Sequence, residues 1–154
     1  MFNPDTLNPQ QRKEAKRIVK FVIVGTLGFF VDAGSLYVFT RGFGLSLYIG
    51  QALSFSVAVV HNFILNRRWT FPESRQHSPH RQMVQFYLTN LAGLIIRSGI
   101  IAFVAPKFER LSLIYRIGEI PPKFVSDYAS LSIAVFIVFI WNYVVSRLWT
   151  FRNL

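Results

Sequence analysis

Apolar residues along this chain collect into four long blocks, Phe21–Phe39, Tyr48–Leu65, Phe86–Ala105 and Phe124–Ser146, with the charges gathered mostly between them. Each block approaches or exceeds the ~20 residues that a helix needs to cross a bilayer, so the pattern predicts four transmembrane helices and an all-α fold. The connections differ. Thr40–Ser46 is short, with Gly42 and Gly44 suited to a tight return, whereas Pro72–His80 is a polar linker with two prolines. In the longer Pro106–Lys123 segment, Phe108, Leu111, Ile114 and Tyr115 predict one apolar face of a surface helix, ended by Gly118 and the Pro121–Pro122 pair. The Lys and Arg of Gln11–Lys20 recur at helical spacing and predict a short basic helix ahead of the first block.

The blocks form a duplication. Asn62, Arg67, Trp69, Thr70 and Phe71 are repeated at identical spacing by Asn142, Arg147, Trp149, Thr150 and Phe151. When Lys20 is laid on Gln85, Gly28 falls on Gly93, Gly34 on Gly99 and Asp32 on Arg97. The chain therefore reads as a basic segment, 1–20, and one transmembrane domain, 21–154, built from repeats at about 20–71 and 85–151. Both repeats start and finish on the same side, which makes them parallel two-helix units rather than inverted ones.

Charge sets the direction of threading. Of the 17 basic residues, eleven lie before the first block, between the second and third, or after the fourth; five lie on the opposite side, diluted by Glu109 and Glu119. Basic residues are retained on the cytoplasmic face, so both termini are expected there, in a multi-pass protein of the cytoplasmic (inner) membrane. The net charge of +10 then reflects topology and anionic headgroups rather than nucleic acid. The first block is long, carries Asp32 and lacks a small-residue cleavage site, so it is expected to stay as a helix rather than to be removed as a leader.

Two charges fall inside the blocks. Asp32 shares a helix face with Gly25, Gly28 and Ser35, and Arg97 shares one with Asn90 and Gly93. In parallel repeats both lie at similar depth, about 16 Å from the cytoplasmic helix ends. A lone charge there costs roughly 2.5–3.5 kcal/mol on insertion scales. Either the two pair and lock the halves together, or they line a polar path in which Arg97 receives an anionic headgroup. Both readings stay open. Gln51 and Ser54 share a face with Ala58 and Asn62, so Gln51, Asn62, Asn90 and Asn142 are candidates for a polar lining. The two Asn of the repeated phrase are expected to bond across the two-fold axis or to meet a polar group of a ligand.

At the repeated exits, Trp69 and Trp149 are expected to anchor at the membrane interface. Arg67, Arg68 and Arg147 either snorkel to nearby phosphates or gather around one lipid phosphate, whose oxygens match a guanidinium fork. Asp127 reads as a boundary residue near a helix end. His61, His77 and His80 lack companion carboxylates, so no metal site is expected, and the absence of cysteine removes disulfides and thiolate ligation. No phosphate-binding Gly-rich loop and no nucleophile–base arrangement occur, so neither an enzyme nor a cofactor is expected.

Phe21, Gly25, Gly28 and Asp32, the exit from Asn62 through Asn66, Arg67, Trp69, Thr70 and Phe71, and the second copy ending in Trp149, Thr150 and Phe151 together resemble the GtrA-like family of small four-helix membrane proteins. The resemblance covers nearly all of Lys20–Phe151. It implies a role in cell-surface polysaccharide synthesis: moving polyprenyl-phosphate-linked sugar across the membrane, beside a membrane glycosyltransferase that charges the lipid. A non-transporting scaffold or lipid-binding partner of that enzyme is the alternative, and a small-solute transporter a third. Arg68 becomes Leu148 in the second copy, so the two exits are not equivalent as ligands. Four helices enclose little volume, so a path for a sugar head implies an open lateral groove or a homo-oligomer.

Overall fold

The computed structural model describes residues 8–115 and 122–152, and among them every regular element is helical. Helix α1 runs over Pro9–Tyr37, α2 over Leu47–Leu65, α3 over Pro79–Tyr115 and α4 over Pro122–Val145. Each of the four is long and apolar enough to cross a membrane. Large apolar side chains stay uncovered along them: Phe29 is 67% exposed, Ile95 69% and Phe136 64%. Such a surface is stable only against hydrocarbon, and the chain is a multi-pass membrane protein.

Helix α1 begins on a capping box. Asn8 Oδ1 accepts from the Gln11 backbone N–H at 2.8 Å, and Gln11 Oε1 accepts from Asn8 N–H at 3.0 Å, with Pro9 at the first helical position. The expected separate basic helix does not exist: Gln11–Lys20 are the opening turns of α1, which continues unbroken into Phe21. At 29 residues α1 is about 44 Å long, so its polar start extends beyond a ~30 Å hydrocarbon core.

A second correction concerns Pro106. The expected break and surface helix are absent, because α3 passes through Pro106 and carries Phe108 and Leu111 as far as Tyr115. Proline removes one backbone hydrogen bond, and spanning helices tolerate this where neighbouring groups compensate. Separately, the Ser126 hydroxyl of α4 donates to the Ala105 carbonyl at 2.6 Å and ties the two helices together next to the proline. The stop expected at Gly118 and Pro121 lies outside the described residues. At the short return, a π-helical turn over Val38–Gly42 precedes Gly44, whose φ of 65° uses the left-handed region open to glycine.

The chain divides into two compact units. The first holds α1, α2, the linker, α3 as far as Tyr87, and the chain end from Arg147. The second holds the rest of α3 and α4, Leu88–Ser146. In the first unit α1 and α2 are antiparallel neighbours: Gly28 lies against Asn62, and Gly50 against Leu36 and Thr40. In the second, Gly93 lies against Asn142, Trp141 Nε1 donates to the Thr89 carbonyl at 3.1 Å, and Ser126 reaches Ala105, so α3 and α4 are antiparallel too. Hydroxyls within the spans, such as Thr26 on Val22 O and Ser98 on Leu94 O, satisfy themselves on the preceding turn.

Candidate functional site

Both repeated phrases leave their helices through a π-helical turn, Asn66–Thr70 after α2 and Ser146–Thr150 after α4. At the first exit the Phe71 N–H reaches the Asn66 carbonyl, five residues back, at 2.7 Å. One extra residue in the turn re-aims the side chains beyond it. The outcome is the same at both exits. Asn66 and Thr70, like Ser146 and Thr150, are buried; Trp69 and Trp149 are exposed; Arg67 and Arg147 are half-buried. Position 68 or 148 faces outward in both, as Arg68 and as Leu148.

The aromatic residues ending the two phrases meet. Phe71 and Phe151, each 1% exposed, stack with ring centroids 5.0 Å apart and planes at 15°. Phe63 of α2 and Phe86 of α3 join Phe151 at 5.9 and 5.7 Å, and Phe21 of α1 meets Phe71 edge-on at 6.4 Å. This is the core of the first unit, and the duplicated phrase supplies its centre.

A charged layer covers that core. Arg17, 5% exposed, pairs with Glu14 and with Glu73, and its guanidinium lies 5.8 Å from the Phe71 ring centroid. Glu14 also accepts from Arg147 Nη2 at 3.2 Å, and Lys13 reaches Glu73 at 3.7 Å. The first exit is clipped by Lys20, whose Nζ donates to the Trp69 carbonyl at 3.1 Å and lies 5.3 Å from that ring's centroid. Arg67 holds the linker: Nε donates to Gln82 Oε1 at 2.8 Å, and Nη2 to the Arg75 and His77 carbonyls at 3.0 Å each. Of the three arginines singled out for phosphate, Arg67 is thus committed to the linker and Arg147 to Glu14, while Arg68 is exposed.

Within the spans, each Asn of the phrase packs on the glycine aligned across the repeats. A methyl group on Gly28 would come within 2.3 Å of the Asn62 carboxamide, and one on Gly93 within 3.1 Å of Asn142 Oδ1. The absence of a side chain on these glycines is what lets the carboxamides seat against helix backbone. Asn62 Oδ1 also lies 3.3 Å from His61 Nδ1, whereas Asn142 Oδ1 is buried without a hydrogen-bond partner among the described residues. In the first unit Asp32 is half-buried, and its Oδ1 is likewise buried without a partner. Gly28 on its face is buried, but Gly25 is exposed. In the second unit Arg97 is exposed and Asn90 half-buried. Gln51 is exposed on α2, one turn from buried Ser54, whose hydroxyl donates to the Gln51 carbonyl at 3.2 Å.

Sequence reasoning missed two features here. The Gly–Asn contacts were latent in the alignment, since both members of each pair recur, but the two repeats had to be read together to join them. The Glu14–Arg17–Glu73 layer carried no signal beyond ordinary charges near helix ends.

Residues 20–151 match the family described as the GtrA/DPMS transmembrane domain. Over 83 residues, 54% of this chain, the sequence is 32% identical to the dolichol-phosphate mannosyltransferase of Pyrococcus furiosus. The matched stretch amounts to 23% of that enzyme's length.

Proposed function

The chain belongs to the GtrA/DPMS transmembrane family, and from that premise we propose that it moves polyprenyl-phosphate-linked sugar across the cytoplasmic membrane, as a carrier rather than an enzyme. The carrying observation is the presence of buried polar atoms with no hydrogen-bond partner among the described residues, Asp32 Oδ1 and Asn142 Oδ1, inside spans otherwise built for lipid. An unpaired buried polar group is costly, and in membranes intramembrane charges mark the paths of polar substrates. The isoprenoid tail stays in hydrocarbon, while the phosphate and sugar pass polar groups held in the spans. The basic helix exits, with Arg68 exposed between Arg67 and Trp69, lie on the cytoplasmic side and collect the anionic head. Transport is facilitated, and consumption of the sugar on the outer face gives it direction.

A second reading draws on the relative. Because the similarity is to part of a protein named as a mannosyltransferase, a role beside a glycosyltransferase, holding polyprenyl phosphate for it without moving it, is favoured over solute transport. Vesicles carrying labelled polyprenyl-phosphate sugar separate the two. Translocation exposes the inner-leaflet sugar to an external periodate probe in a protein-dependent way; binding with unchanged protection leaves only the holding role.

A further inference from the structure

The duplication provides its own control at the helix exits. In the first repeat, Lys20 reaches the Trp69 carbonyl and lies against that ring, closing the corner between helix start and exit. Gln85 stands at the matching position of the second repeat and brings no charge. At that corner a hollow of about 210 Å³ lies within the first unit, lined by Arg81, Gln85, His77, Trp149, Thr150 and Arg152 among others. Among the described residues none that lines it is acidic. Glu14 and Glu73 are engaged by Arg17, Lys13 and Arg147, and among the described residues neither Arg81 nor Arg152 makes an ion pair.

A second observation points to a ligand. Thr150 is 2% exposed, lines the hollow, and its Oγ1 is buried with no hydrogen-bond partner among the described residues. Its counterpart Thr70 is equally buried and unpartnered but is not part of the hollow's lining. We infer that this hollow binds a phosphate group, with Arg81 and Arg152 gripping its oxygens and the Thr150 hydroxyl donating to it. Two guanidinium forks and a hydroxyl suit the tetrahedrally spread oxygens of a phosphate better than the planar pair of a single carboxylate. Exposed Trp149 at the rim is an interfacial residue, which fits the head of a membrane-anchored phosphate. The inference deepens the proposed function and rests on its reading of a phosphate-bearing lipid. It moves the grip from the arginines of the repeated phrase to the asymmetric second exit.

The test uses the full chain in nanodiscs of zwitterionic lipid, with a polyprenyl monophosphate as one probe and inorganic phosphate alone as the other. Substituting Arg81→Gln with Arg152→Gln is expected to weaken binding at least about tenfold, the weight of one charge-assisted hydrogen bond. Thr150→Val, which keeps the shape and removes the orphan hydroxyl, is expected to weaken binding without lowering the melting temperature; Thr70→Val is expected to leave binding unchanged. Occupancy by the lipid alone assigns the hollow to a headgroup, and occupancy by inorganic phosphate alone assigns it to the free anion; both support the site. Lipid binding that survives the double arginine substitution overturns the hollow while leaving the carrier reading intact. Equal effects of Thr150→Val and Thr70→Val also overturn it. If the unsubstituted protein binds neither probe, the hollow falls and the carrier reading loses its substrate.

Discussion

The rings of Phe71 and Phe151 lie stacked, 5.0 Å between centroids and 15° from parallel, although each ends a separate copy of the same phrase. The duplicated exits therefore share a single core, and their repetition has a packing cause. Phe71→Ala or Phe151→Ala is expected to cost about 3–5 kcal/mol, as for other buried aromatics. A double-mutant cycle followed by thermal unfolding in detergent should show coupling of about 0.5–1.5 kcal/mol between them. Additive losses would show that the stack contributes only burial.

The glycines are expected to rank by the space around them. Gly28→Ala drives a methyl into Asn62 and should cost about 1–3 kcal/mol, as overpacking does. Gly93→Ala, whose nearest neighbours lie at 3.1 and 3.2 Å, should cost less, and Gly25→Ala, with nothing within 4 Å, should be neutral or mildly stabilising. Asn62→Ala combined with Gly28→Ala should recover part of the loss. Melting temperatures of the four variants check the order.

Arg17 is buried and shares Glu14 and Glu73, so its removal leaves Glu14 to Arg147 alone and Glu73 to the longer Lys13 contact. Arg17→Ala is expected to destabilise by about 1–3 kcal/mol, because Arg147 and Lys13 still face the two carboxylates, and added salt should change the wild-type melting temperature little around the buried guanidinium. A loss below about 1 kcal/mol in the same melting assay would assign the pairs to the solvated surface.

For Arg67 the readout is the linker. Arg67→Ala releases Gln82 and the carbonyls of Arg75 and His77, so limited trypsin digestion should cut after Arg75 or Arg81 several-fold faster. Arg67→Lys should rescue poorly, because an ammonium cannot reproduce the fork. Unchanged cleavage in both would remove the clip role.

Asp32→Asn takes a charge out of the span while nearly preserving shape. Folding is expected to be unchanged or improved, and vesicle translocation to fall. Exchanging charges, Asp32→Arg with Arg97→Asp, discriminates further: full recovery of transport would favour a lock between the halves, and continued loss a directional role for each.

Much of the architecture is legible along the chain because lipid imposes a coarse pattern. Block Tyr48–Leu65 becomes α2 within one residue, bounded by Ser46 before it and Asn66 and Arg67 after it. The helix ends that differ from expectation share one cause. Proline and charge are ordinary stop signals, yet at Pro106 and ahead of Phe21 they lie near span ends, where α3 and α1 lose little by continuing. The π turns have no local signature, since residues 66–70 and 146–150 carry neither glycine nor proline. The candidate residues are visible one at a time, but their partners are not: Asn62 on Gly28, or Arg147 on Glu14, requires the packed helices.

The widened exit turns carry a last consequence. A surplus residue held within a helix works as a phase shifter, setting everything downstream about 100° from where a regular helix would leave it. Deleting a single residue between 66 and 70 would let the turn relax, swinging Trp69 and Phe71 together off their headings. Length, as much as chemistry, is therefore under constraint at both exits, and one-residue deletions there should be tolerated far less than substitutions at the outward position held by Arg68 or Leu148.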